Sequence, residues 1–484
     1  MGHQLRVDPN GTICNYMQEM SKDIAENDLS TAEVARIVGV HRDTLLRWLR
    51  EGLVPEPRRD RHGWRVFDDR EAARISQFAH SEIKRESTFS PDISKLDTID
   101  WDFRDAKTSY LTHGMHPYPA KFIPQIPNAL IQELSSVGET VADIFCGSGT
   151  TLVEALILKR NAVGIDANPL AALISRAKTT CLVEGDAERL ESVVQRAGDL
   201  AENVSDEKQL FLFKSGKSPY KAAPLEHEAI QFWFEPFIVE ELSEILSWCR
   251  ELSTPTCRTV ALSAFSSIVV SVSKQDSDTR YVRREKNLRR GDALRRFSRA
   301  LADAKVATSQ FTELVEPRFA SRVYEANLLD KPEVGTLDLV VCSPPYPNAY
   351  SYHLYHMTRM VWLGMDPDTF KKIEIGSHRK YSRKGPKRAG VETFGAEMRT
   401  IFLWLREHLR PGRFACFVVG NSVLNGRQIN NADLIASVAR DSDFVELKRI
   451  HRNLQETRKA FNPAYGKIKT EHIVVFQNQY GTRA

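Results

Sequence analysis

Four consecutive residues, Ser343-Pro344-Pro345-Tyr346, follow the apolar run Leu337-Asp338-Leu339-Val340-Val341-Cys342. The prolines fix φ, so the Ser343 hydroxyl and the Pro344 carbonyl are held as pre-organised acceptors. Such a pair suits an amino group on an aromatic ring, a poor nucleophile because its lone pair is delocalised into the ring. Acceptors on its hydrogens favour a pyramidal nitrogen and aim the lone pair at an electrophile. Tyr346 adds a flat face on which an extruded ring can stack. These four are the candidate catalytic residues. Their task is positioning, and no covalent nucleophile is required.

A second constellation lies earlier: Asp143-Ile144-Phe145-Cys146-Gly147-Ser148-Gly149-Thr150-Thr151. Val141 to Phe145 reads as a short strand, the glycines as a turn that brings backbone close to a ligand, and Thr150 to Lys159 as a helix with an electropositive start. Ala162 to Asp166 reads as the next strand. It ends in an acid about 20 residues past the turn, where a carboxylate can accept both hydroxyls of a ribose. A dinucleotide site is the rival reading. The Gly149-Thr150-Thr151 ending and the lack of a third glycine three residues after Gly149 disfavour it. Attack through a cysteine at a ring carbon is disfavoured too, because Cys342 precedes Ser343 rather than following a proline.

Taken together, the two segments resemble the amino-group DNA methyltransferases that use S-adenosyl-L-methionine, over roughly residues 113 to 480. The resemblance implies that Asp143 sits near the methionine amino group and that Phe145, Gly147, Gly149 and Thr150 line the cofactor turn. It implies that Asp166 binds ribose, and that Asn327 stands where the family often has an acid near the adenine amine. Lys121 and Phe122 belong to His116-Pro117-Tyr118-Pro119-Ala120-Lys121-Phe122, which resembles the segment closing over the methionine end. Serine at the head of the tetrapeptide leans to cytosine N4. Adenine N6 stays open, as do an RNA base methyltransferase and a non-catalytic DNA-binding regulator. Tyr350, Tyr352, His353, Tyr355 and His356 follow at spacings that could line a base pocket, and none is assigned a catalytic role.

The elements that position these residues imply an α/β fold. It is a Rossmann-like methyltransferase sheet with an antiparallel C-terminal hairpin, a helical insertion and a small N-terminal winged helix-turn-helix domain. In the N-terminal part, Ser30-Thr31-Ala32-Glu33 is a capping-box pattern ahead of Val34, Ile37 and Val38. Gly39 breaks that helix, and a second runs from about His41 to Glu51. Arg58 to Phe67 reads as a basic wing, with a helix from about Asp69 to Phe78. Thr31 to Ile75 resembles a MerR-type module, which implies that Arg42, Thr44 and Arg47 face a major groove while Arg58, Arg59 and Arg61 meet phosphates. The expected domains are 1–85, a linker 86–112, a cofactor half 113–184, an insertion 185–318 and a catalytic half 319–484. Helices are expected near 187–203, 238–251 and 397–409, and strands at 414–419 and 472–476.

Formal net charge is only +4, so any nucleic-acid surface must be local. Nine Lys or Arg fall between Arg280 and Arg299, and eight between Lys371 and Arg388. Arg283, Arg284, Arg289, Arg290, Lys380 and Arg383 are therefore candidate contacts to double-stranded DNA. Seven cysteines without a C-x-x-C pair fit a reducing compartment, and no metal is implied. No uninterrupted apolar run reaches a membrane-spanning length and no apolar signal region stands at the start, so a cytoplasmic protein with no membrane partner is expected. A cognate restriction endonuclease or defence partner stays open.

Overall fold

The computed structural model describes residues 29–38, 45–46, 48–49, 54–60, 63–76, 91–205, 218–278, 280–347, 350–382, 389–424, 426–453 and 470–481. It divides into two compact units, Met1–Ser90 and Pro91–Ala484.

In the first unit the capping box forms as expected. The Ser30 backbone N–H and hydroxyl both reach Glu33 Oε2 at 2.8 Å, and helix Thr31–Val38 follows. Val34 and Val38 are buried with Leu45, Trp48, Leu49, Val54, Phe67, Ala72 and Ile75. Ile37, expected on that apolar face, is instead 56% exposed. Arg65–Phe67 pairs antiparallel with both Leu29–Ser30 and Arg58–Arg59, which makes the wing. Its turn is held by Asp60, whose Oδ1 accepts from Trp64 N–H at 2.8 Å.

The second unit is built on a seven-stranded sheet. Its strands are β1 (Thr140–Asp143), β2 (Asn161–Asp166), β3 (Ser321–Glu325), β4 (Leu337–Cys342), β5 (Leu409–Gly420), β6 (Phe444–Asn453) and β7 (Thr470–Asn478), in the order β6-β7-β5-β4-β1-β2-β3. β1 to β5 run parallel, and β7 is antiparallel to both β5 and β6. All six residues of β4 are buried, as a central parallel strand covered on both faces requires.

Alternate side chains feed two cores. Leu339 and Val341 join Val141, Cys416 and Val475 under α1 (Gln125–Leu134) and α2 (Thr150–Ile157). Beyond β2 runs α3 (Pro169–Lys178), with the Asn168 side chain and Pro169 as its start signals. The insertion between α3 and β3 holds α4 (Asp186–Ser205), α5 (Pro236–Glu251), α6 (Pro255–Val269) and α7 (Asp292–Leu314) around its own core of Trp233, Leu242, Trp248, Phe265, Phe297 and Leu301. On the other sheet face, Val340, Cys342, Phe417 and Phe476 pack under α8 (Val391–His408) and α9 (Asn431–Arg440).

One helix bears on the membrane expectation without overturning it, and one expectation changes. The stretch Pro255–Val272 is long and apolar enough to cross a membrane by length and composition. It packs against α4, α5 and α7, so its apolarity is that of a core helix. The linker expected at 86–112 is integrated from residue 91 onward. Leu96 and Trp101 are buried in the sheet core, and Arg452 Nε donates to Trp101 O at 3.0 Å. The signal missed in the sequence was this pair of large apolar residues, which a linker has no use for.

Candidate active site

In this strand order the chain leaves β3 and returns to the far side of β1 to form β4. The reversal point lies between β1 and β4, where open α/β sheets take ligands at the carboxyl ends of their strands. Val141 stands opposite Leu339 and Ala142 opposite Val340. The segments that follow, Asp143–Thr151 and Ser343–Tyr346, therefore emerge side by side.

Asp143 is buried, with Oδ1 accepting from Phe145 N–H at 3.0 Å and Oδ2 from Thr151 Oγ1 at 2.8 Å. Burial pushes its carboxyl up to about 7. Thr151 Oγ1 also lies 3.2 Å from the Val341 carbonyl on β4. One hydroxyl hydrogen serves one of these acceptors at a time. A neutral Asp143 can donate to Oγ1 and leave the Thr151 hydrogen for Val341, whereas an ionised one draws it back.

Gly147 and Gly149 have φ of +49° and +79°. A Cβ on Gly149 would lie 2.9 Å from Ser175 Oγ and 3.1 Å from Ser175 Cα, so α3 passes too close for a side chain. Asp166 accepts from Gly147 N–H at 2.9 Å and from Asn168 N–H at 2.8 Å, one bond to each oxygen. Each oxygen keeps a lone pair, which suits a diol. Burial pushes this carboxyl up to about 6. Between the glycines, Ser148 Oγ is buried without a hydrogen-bond partner. Together these groups fit a ribose and an ammonium held against backbone.

Asn327 caps the turn after β3, its Oδ1 accepting from Leu329 N–H at 3.1 Å. The preceding Ala326 N–H donates to Asp166 O at 3.0 Å, which ties this turn to the acid. Within the segment from His116, Lys121 Nζ donates to His113 O at 3.1 Å and Phe122 packs on the sheet core. The ring that meets the glycine turn belongs to Tyr118, at 3.4 Å from a Cβ built on Gly147. Tyr118 stacks on Tyr352 (5.7 Å, 20°) and lies against His356 (5.1 Å). Buried Glu374 fixes this aromatic group by accepting from Tyr352 N–H and bonding His353.

The tetrapeptide follows β4 directly. Tyr346 Oη donates to Val418 O on β5 at 3.2 Å and lies 3.4 Å from Ser343 Oγ, so the hydroxyl end of the ring is held by two partners. Gly376 makes room for it. At φ +73°, a Cβ there would come 2.5 Å from the Tyr346 carbonyl oxygen. Sequence reasoning gave no role to Tyr118, Thr151, Glu374 or Gly376. Thr151 stood inside the quoted motif, but its reach to β4 has no signature in the chain.

A family model described as DNA methylase matches residues 58–176, and one described as MerR family regulatory protein matches residues 30–67. The chain is 26% identical over 289 residues to the Type II methyltransferase M.MvaI of Kocuria varians, covering 56% of this chain and 62% of that one. It is 31% identical over 118 residues to M.MjaII of Methanocaldococcus jannaschii, covering 22% of each. Over residues 58–176 the chain is similar to the amino-group DNA methyltransferase family. It spans less than two thirds of the length of either relative. Among solved structures, an rRNA methyltransferase of Streptomyces viridochromogenes aligns at 11% identity over 75% of this chain and 89% of that one, with a TM-score of 0.30, too loose to carry argument.

The residues nominated for DNA contact fall on both units or outside the described residues. Arg42, Thr44, Arg47, Arg61 and Arg383 lie outside the described residues. Arg58 and Arg59 are exposed on the wing, with Arg59 paired to Glu56 at 2.9 Å. Arg283, Arg284 and Arg289 are exposed on the insertion, with Arg283 paired to Glu285 at 3.1 Å and Arg284 to Asp276 at 3.4 Å. Arg290 is paired to Glu240 at 2.9 Å and Lys380 is bonded to Glu397, so their charges are already compensated within the protein.

Proposed function

We propose that this protein transfers a methyl group from S-adenosylmethionine to an exocyclic amino group of a base in double-stranded DNA, at cytosine N4. The observation that carries this reading is Thr151, whose hydroxyl sits on Asp143 at one end and on the β4 carbonyl of Val341 at the other. It joins the turn fit for a nucleoside to the strand that delivers Ser343–Tyr346. In this reading Asp166 takes the ribose hydroxyls, Asp143 faces the methionine ammonium, and Tyr118 covers the glycine turn. The bound cofactor supplies an electrophilic methyl on a sulfonium.

Ser343 Oγ and the Pro344 carbonyl accept hydrogen bonds from the target amine and direct its lone pair at that methyl. Tyr346, fixed through Val418, stacks on the extruded base. The displaced amine proton passes to solvent. Serine at the first position supports cytosine. The first unit, with its MerR-like match, supports a duplex substrate, because such modules enter a major groove that A-form RNA does not offer. The six described cysteines of the chain, all in the second unit, are free thiols, which supports a cytoplasmic setting.

The test is incubation with S-adenosylmethionine and unmethylated duplex DNA, digestion to nucleosides and identification of the product by mass. N4-methylcytosine is expected. N6-methyladenine would keep the mechanism and refute the base. No methylated base, with cofactor bound, would turn the search to RNA.

A further inference from the structure

Glu154 lies on α2, about one turn beyond Thr151, and it is fully buried. Its carboxyl gathers three bonds of 2.6 Å: Oε1 accepts from Tyr110 Oη and meets His113 Nε2, and Oε2 accepts from the Asn128 side-chain amide. Burial and the adjacent Glu154 push the Tyr110 phenol up, so it stays protonated and donates. Burial pushes His113 down, so its ring is neutral, and a hydrogen on Nε2 serves the same carboxyl. Tyr110 and His113 also meet edge-on, with ring centroids 4.9 Å apart.

These three partners flank one loop. Tyr110 and His113 stand where the chain enters the segment 113–121, and Asn128 is on α1, into which that segment leads. The loop is closed on itself. Lys121 Nζ donates to His113 O at 3.1 Å, and Nζ of buried Lys178 on α3 reaches the same carbonyl at 3.3 Å. Thr112 Oγ1 donates to Lys178 O at 2.8 Å, and His116 Nε2 meets Ser266 Oγ on α6 at 3.0 Å. Between these ties sits Tyr118, the ring that lies against the glycine turn and stacks on Tyr352.

Burying a carboxyl is costly unless its oxygens are paired, and apolar residues of similar volume serve a core at least as well. Glu154 is thus better explained by what it holds than by packing: its partners reach one loop from both flanks. We propose that Glu154 is a positioning residue for the cofactor. Through Tyr110, His113 and Asn128 it holds Tyr118 over the glycine turn, and so sets how long S-adenosylmethionine stays bound. The proposal rests on the placement of Tyr118 over the cofactor in the function proposed above. Departure of the cofactor needs the ring to lift, so the effect falls on dissociation.

The experiment is surface plasmon resonance of S-adenosylmethionine on the immobilised full chain, with thermal melting and duplex-DNA anisotropy as controls. Glu154→Gln keeps the volume and one acceptor but sets an amide against the Asn128 amide. It should raise the dissociation rate about tenfold, the loss of about one such bond, with the association rate within about twofold. Tyr110→Phe, which removes one bond and keeps the ring on His113, should raise it less. The deciding comparison is with Tyr118→Ala. That substitution alone should speed dissociation, and adding Glu154→Gln to it should change the rate little further, because the group acted upon is gone. Additive effects of the two would overturn the proposal, since a purely structural Glu154 matters whether or not Tyr118 is present. Parallel losses of melting temperature, DNA affinity and cofactor affinity in Glu154→Gln and Tyr110→Phe would overturn it as well. A Tyr118→Ala protein that releases S-adenosylmethionine as slowly as the wild type would overturn it together with the placement of Tyr118 on which it rests.

Discussion

Replacing Asp143 by asparagine should stabilise the empty protein while crippling cofactor binding. The buried carboxyl is pushed from 3.8 to about 7, chiefly by desolvation. A carboxyl raised in the folded state favours folding at low pH, and that contribution is lost as pH rises through about 7. Above that point the ionised group costs the folded state about 4 kcal/mol, at 1.36 kcal/mol per unit. Asparagine does not titrate, and it keeps the geometry. Its Oδ1 can accept from Phe145 N–H, and its amide can donate to Thr151 Oγ1, leaving that hydroxyl for Val341. The stability of Asp143→Asn relative to wild type should therefore grow by about 3 kcal/mol between pH 5 and pH 8. Urea denaturation at the two pH values measures it. Calorimetric titration with S-adenosylmethionine should show affinity lost by about 1.5–3 kcal/mol, the worth of a hydrogen bond to a charged group. In the wild type, affinity should rise with pH through about 7 as Asp143 ionises to meet the ammonium. A stability difference that is flat with pH, or an unaltered affinity, would refute the reasoning.

Four further outcomes are expected. Gly149→Ala forces both a left-handed alanine and contact with Ser175, so it should cost about 1–3 kcal/mol in thermal or denaturant unfolding. Gly376→Ala displaces the Tyr346 carbonyl and should lower turnover while leaving cofactor affinity in place; equal losses in both would argue for a global defect. Tyr346→Phe, which keeps the ring and loses the hydroxyl contacts to Val418 and Ser343, should retain more turnover than Tyr346→Ala in single-turnover assays, and equality of the two would remove ring stacking from the argument. Deleting residues 1–90 should reduce the salt slope of DNA binding and keep cofactor binding; an unchanged slope would make the first unit a docking module.

Sequence by itself determined the parts whose physics is local. The capping box at Ser30 and Glu33, the strand–glycine turn–helix around Asp143, and the buried strand before Ser343 each follow from neighbours in the chain, so each could be read from spacing. The antiparallel closing strands were legible for the same reason. Their Val, Ile and Phe alternate between two cores that the chain must fill. Ile37 shows the limit, since helical spacing names a face without saying which neighbours cover it.

Tertiary structure alone decided what stands next to what. The strand order puts β4 beside β1 across a long insertion, and only then does Thr151 reach Val341 and Asp143 at once. Tyr118 reaches the glycine turn, Gly376 clears the Tyr346 carbonyl, and Arg359 fastens a hairpin from the insertion to the catalytic half. None of these contacts leaves a periodic trace, because each joins residues far apart in the chain whose approach is set by how sheet and helices pack.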